Sequence, residues 1–155
     1  MRRLLPLLLA LPAAAETVPR DGDWTVVTAP EAVAPACDPA LRPALEAMLA
    51  RQAATRTVPI AWDGRFDPAR LTPDETAAGA VEWAPLADGR WRGEVRPGGV
   101  PNPLAILIFE ATAPDRIEGE MIVLPFNVVL ATGRGMEGLR PDCTLSLTMT
   151  ATTGG

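Results

Sequence analysis

The run Leu104-Ala105-Ile106-Leu107-Ile108-Phe109-Glu110 leads through Ala113-Pro114-Asp115-Arg116 into Ile117-Glu118-Gly119-Glu120-Met121-Ile122-Val123-Leu124. Its two halves carry different strand signatures. From Arg116 to Val123 the chain alternates, with Ile117, Gly119, Met121 and Val123 on one face and Arg116, Glu118, Glu120 and Ile122 on the other. A period of two marks a strand with one buried face. Leu104 to Glu110 is apolar on both faces, Ile106 and Ile108 on one and Ala105, Leu107 and Phe109 on the other, as in a strand covered on both sides. Pro114 presets φ and Asp115 can bond the backbone just ahead, so the two strands join as a hairpin. Pro125 cannot donate to a ladder and marks a bulge, an edge or a strand end.

Downstream of the hairpin, Asn127 to Ala131 reads as a further strand. Gly133-Arg134-Gly135-Met136-Glu137-Gly138 is a glycine-rich loop without the Gly-Lys-Ser/Thr ending of a phosphate loop. From Cys143 to Thr150 the alternation is the cleanest in the chain. Cys143, Leu145, Leu147 and Met149 share one face, and Thr144, Ser146, Thr148 and Thr150 form a solvent-facing side. The end from Thr152 onward is expected to fray.

Upstream, Trp91 to Arg96 alternates with Trp91, Gly93 and Val95 inward. Val81-Glu82-Trp83 begins a strand that Pro85 ends, and Val58 to Trp62 and Trp24 to Thr28 are shorter strand candidates, the latter followed by a loop over Ala29 to Pro35. Asp38-Pro39 predicts a helix start, with Asp38 as N-cap and Pro39 in the first position. Leu41, Leu45, Met48 and Leu49 then fall on one face of a helix ending near Gln52. Three matches, Asp21-Gly22-Asp23-Trp24, Asp63-Gly64-Arg65-Phe66 and Asp88-Gly89-Arg90-Trp91, each place a turn pair before an aromatic anchor. The Gly-x-Trp of the first and third resembles the opening of a lipocalin first strand over three residues; the Thr-Asp-x-x-Asn-Tyr segment of that family is absent.

Runs of strands with short turns, rather than alternating βα units, argue for antiparallel pairing. The expected fold is a mainly β, α+β domain: a strongly curved antiparallel sheet or small open β-barrel, with one amphipathic helix near the N-terminus, Asp38 to Gln52, packed on it.

Met1-Arg2-Arg3, the apolar run Leu4 to Leu11 and Ala13-Ala14-Ala15 have the three-part order of a secretory signal peptide cleaved after Ala15. Residues 1–15 are therefore read as the signal and 16–155 as one exported domain, periplasmic or extracellular. The apolar run is too short for a membrane helix, which needs about 20 residues, and none of the later segments is long enough. In such a chain the pair Cys37 and Cys143 reads as one disulfide.

Formal charge is −5, and loss of Arg2 and Arg3 takes it to −7. An acidic chain without a basic cluster argues against nucleic-acid binding. Histidine, lysine and tyrosine are absent, and Ser146 is the sole serine. Ser-His and Cys-His nucleophiles, Schiff-base chemistry and histidine-ligated metals are thereby excluded. Asp21 with Asp23, or Asp74 with Glu75, lack the spaced oxygens of a calcium loop, so no metal and no cofactor is expected. Composition weighs against an enzyme, since histidine is the commonest acid–base group.

Two functional expectations follow. The first is a non-catalytic binding or interaction module of the cell envelope, its partner an apolar small molecule or an envelope protein. Ile122, Leu124, Phe126 and Val128 would give the sheet a second apolar face needing a cover, and Trp83, Trp91, Met121 and Phe126 would line a pocket. The alternative is a carboxylate-dependent hydrolase acting on envelope glycans. Glu118 and Glu120 would share a strand face at roughly 7 Å, with Glu110 on the partner strand.

Overall fold

A computed structural model describes residues 17–72, 81–134 and 137–154. The proposed signal peptide and the Asp74–Glu75 pair lie outside the described residues. The elements run β1 (Gly22–Val33), α1 (Arg42–Ala50), β2 (Ala54–Ile60), a 3₁₀ turn (Pro68–Leu71), β3 (Val81–Pro85), β4 (Trp91–Val95), a short 3₁₀ turn (Pro97–Gly99), β5 (Ala105–Ala113), β6 (Arg116–Val123), α2 (Pro125–Thr132) and β7 (Leu145–Thr153). The protein is mostly β. Seven strands form one open antiparallel sheet in the order β2-β1-β7-β6-β5-β4-β3.

The hairpin forms as the alternation requires. Leu107 lies opposite Met121, Phe109 opposite Gly119 and Ala111 opposite Ile117. Ala105, Leu107, Phe109, Ala111 and Ile117 are buried. β7, the last strand in the chain, inserts between β1 and β6 and so joins the first strands to the β3–β6 meander. Its Leu145, Leu147, Met149 and Ala151 are buried, and Thr148 and Thr152 face solvent. The chain end does not fray at Thr152. Thr152 pairs with Thr25 and Arg116, Thr153 pairs with Trp24, and the Thr153 N–H and Oγ1 donate to the carbonyls of Asp115 and Asp23.

One sheet face carries the core. Trp24, Val26, Ile60, Trp62, Phe66, Leu107, Phe109 and Met149 form one cluster, with Val81, Trp83, Trp91 and Val95 packed against it. β2 and β3 are the two outer strands, yet Ile60 and Trp83 belong to the same core. The core layer therefore runs under the whole sheet, from one outer strand to the other. Aromatic pairs brace this interior: Trp24 meets Trp62 edge-on at 5.6 Å, Trp62 meets Phe66 at 5.6 Å, and Trp83 meets Phe109 at 5.7 Å.

Both helices correct the sequence reading. α1 buries Leu45 and Leu49, but it begins at Arg42 rather than after Asp38. Leu41 is its N-cap, and Asp38 Oδ1 instead accepts from the Ala40 N–H at 2.8 Å, closing a local turn. The reason is Pro43. In a helix started at Pro39 it would sit in the interior, where its ring meets the preceding turn's carbonyl and no N–H is available. Starting at Arg42 puts Pro43 in the first turn, where the missing N–H costs nothing.

The stretch expected as a strand over Asn127 to Ala131 is helix α2. Pro125 stands in its first turn and Gly133 ends it with φ +66°. That is the usual asymmetry of proline inside the start and glycine past the end. The segment is apolar on every side, so no helical period was visible. β1 also runs on through the expected loop, as far as Val33, with a register shift between Pro30 and Ala32.

Candidate functional site

α1 crosses the buried face at one end, over a second core cluster of Val33, Cys37, Leu45, Leu49, Cys143, Leu145 and Leu147. Cys37 and Cys143 are disulfide-bonded, with Cα atoms 4.4 Å apart. The bond ties the entry to α1 onto the segment that leads into β7. Arg42 reinforces the junction, its guanidinium donating to the Val33 and Ala34 carbonyls at 3.2 and 3.4 Å.

α2 lies beside this cluster because β6 stops at Val123. The Leu124 N–H donates to the Leu104 carbonyl, and Asn127 Nδ2 donates to the Pro103 carbonyl at 2.8 Å. These bonds pin the start of α2 to the loop before β5. The helix then presents Val128 and Val129 toward α1. Together with Leu45 and Met48 of α1, Val123 at the end of β6 and Pro125 at the start of α2, they line an open groove of about 180 Å³. Leu139 closes one side, and Arg134 is the one charged residue in the lining among the described residues. Arg134 gets there because Gly133 takes the left-handed conformation and reverses the chain off the helix end. Leu130, on the same helix, is 60 % exposed.

The four aromatic and methionine candidates divide. Trp83, Trp91 and Met121 all pack against the first core cluster from three neighbouring regions of the sheet. Trp91 also borders a shallow cavity of about 320 Å³ with Arg65, Phe66 and Asp67. Phe126 sits apart in the first turn of α2. The expected apolar face through Ile122, Leu124, Phe126 and Val128 does not form, since the chain turns from strand to helix between Ile122 and Phe126. What remains on that side is the half-buried group Ile106, Ile108 and Ile122, with Ile106 opposite Ile122.

Glu110 and Glu118 are direct partners across the hairpin, while Glu120 lies opposite Ile108. Glu118 makes an exposed ion pair with Arg116 at 2.8 Å. Among the described residues, no group of three or more acidic or cysteine side chains is placed to hold a metal ion. No helix among them is long and apolar enough to cross a membrane.

The groove residues are the ones that sequence reasoning missed. The signal was present as Pro125 and Gly133 bracketing eight residues, a helix start and stop. Read as a helix, that segment would have placed Val128 and Val129 beside each other on a face, and not on opposite sides of a strand. No protein-family model, curated protein or solved structure matches the chain.

Proposed function

We propose that the protein is an exported, non-catalytic binding module of the cell envelope that takes an apolar ligand in the groove between α1 and α2. The observation that carries this reading is the groove itself: apolar side chains from two helices and one strand end line an open concavity. Its volume, about 180 Å³, compares with the roughly 150 Å³ engineered cavity that admits benzene. Export is supported by the N-terminal charge, apolar run and small-residue order, and by the Cys37–Cys143 bond.

Uptake of the neutral dye Nile red tests the reading. Wild-type protein is expected to bind the dye, and Val128→Trp, which fills the groove from its α2 wall, is expected to lose it while keeping the far-UV spectrum. Dye uptake unchanged by Val128→Trp would remove the groove from the argument.

A second reading, glycan hydrolysis by paired carboxylates, draws on the register that sets Glu110 opposite Glu118. Glu118 is held by Arg116 on an exposed strand face, away from both cavities described above. Hydrolysis of a glycan panel that is lost in Glu118→Gln would favour this reading over the first.

A further inference from the structure

Among the described residues the groove has an apolar floor and a single cation in its lining, and that combination selects a class of ligand. Leu45, Met48, Val123, Val128 and Val129 offer no hydrogen-bonding side chain, so nothing polar on a ligand could be satisfied among them. Arg134 differs. Its backbone N–H is used, donating to Thr132 Oγ1 at 3.3 Å, but among the described residues its guanidinium has no ion pair or hydrogen bond. The left-handed Gly133 is what returns it to the groove. Without that turn the chain would run on past α2.

We infer that the ligand is a single acyl chain ending in a carboxylate, with its tail between α1 and α2 and its carboxylate on Arg134. This rests on the reading of the groove as a binding site. Guanidinium is suited to the head group, since its planar fork can engage both carboxylate oxygens at once. The tail length follows from volume. A site close to the size that admits benzene buries on the order of six carbons, and the open end lets a longer chain continue into solvent. The chain as a whole carries −5, so its general field does not attract an anion. Preference for the acid must come from Arg134 locally.

The test compares octanoate, octanol and octyltrimethylammonium by calorimetry at pH 7, on wild type, Arg134→Gln and Val128→Trp. Octanoate is expected to bind about five-fold tighter than octanol, the upper range for a solvent-exposed ion pair. The cationic amphiphile should bind weakest. Arg134→Gln should erase the margin between acid and alcohol without changing octanol binding, and Val128→Trp should abolish both. Arg134 is exposed and follows the helix, so its replacement leaves the core intact. Equal binding of acid and alcohol, both lost in Val128→Trp, would overturn the carboxylate inference and leave an apolar site. Failure of wild type to bind any of the three would overturn the groove reading and this inference together.

Discussion

The ring of Phe109 on β5 lies over Gly119 on β6, its cross-strand partner, so closely that a Cβ on Gly119 would stand 2.3 Å from Phe109 Cδ1 and 2.9 Å from the Ile108 carbonyl oxygen. An aromatic covering a glycine across a strand pair lets a large ring lie flat on the sheet, and it also covers backbone the glycine leaves bare. Gly93 and Trp83 repeat the arrangement on β4 and β3, with a Cβ 2.7 Å from the indole. The two sites differ in what can yield. Phe109 is buried among Ile117, Leu107 and Met149, and the second obstacle at Gly119 is backbone. Trp83 is half-buried on an outer strand and can slide. Gly119→Ala should therefore cost about 1–3 kcal/mol, the usual range for overpacking, and Gly93→Ala distinctly less. Urea denaturation of both variants checks the order; equal losses would mean that Phe109 relaxes as freely as Trp83.

Asp21, just before β1, reaches across to the segment after the neighbouring strand β2, its Oδ1 accepting from the Trp62 backbone N–H at 2.6 Å. Trp62 is fully buried and packs edge-on against Trp24 and at a tilt against Phe66, so this one bond positions the centre of the aromatic core. Asp21→Ala leaves a partly buried N–H without a partner, at a cost of about 1–3 kcal/mol. Asp21→Asn keeps the carbonyl acceptor and should recover most of it. Thermal melts followed by tryptophan fluorescence read both; a loss as large in Asn as in Ala would point to the charge and not the hydrogen bond.

Period-two alternation was enough to recover the hairpin, β4 and β7, because a strand with one dry face must write that face into its sequence. The turns at Asp63-Gly64 and Asp88-Gly89 were also legible, but Asp21-Gly22 opens β1 directly, and the tertiary use of Asp21 was not legible. Asp21 bonds Trp62 forty-one residues away, a contact no local pattern encodes. α2 was hidden for a different reason. With Phe126, Val128, Val129, Leu130 and Ala131 in one short run, apolar residues occupy every direction, and a period cannot be read from a uniform segment. The groove depends on that helix, so the site was lost with it. At α1 the face was legible and the start was not, because two prolines competed for the first turn and Pro43 prevailed.

The turn between β3 and β4 carries a local electrostatic contribution with a defined pH window. The Arg90 guanidinium beside Asp88, 2.7 Å from Nε to Oδ2, holds the Asp88 carboxyl below the usual aspartate value. A carboxylate whose folded-state pKa is depressed stabilises the protein above its unfolded value, and the contribution is lost as pH falls through the folded value. Asp88→Asn keeps an acceptor for the Arg90 N–H but removes the charge. Its melting temperature should lie slightly below wild type at pH 7, and the two should converge on acidification below the ordinary carboxylate range. A gap that persists in acid would assign the effect to turn geometry.

The Cys37–Cys143 bond closes a loop of 106 residues, and it does so within the core cluster that also holds Leu45 of the groove. In the chain-entropy model a loop of that size is worth about 4–5 kcal/mol, through restriction of the unfolded chain. The same bond has a local role, since Cys37 precedes α1 and Cys143 precedes β7, and Leu45 of α1 packs with Leu145 and Leu147 of β7 in the cluster the disulfide joins. Replacing both cysteines with alanine should thus lower global stability and also loosen α1 over the groove. The two effects separate experimentally. Chemical denaturation reports the first, and amide exchange reports the second under conditions where the variant is still folded. Exchange in α1 should then speed up more than exchange in β5 and β6, which the bond does not touch. Uniform acceleration across the helix and the hairpin would show that the disulfide acts on the unfolded chain alone and that α1 is held by its apolar face and the Arg42 bonds to Val33 and Ala34.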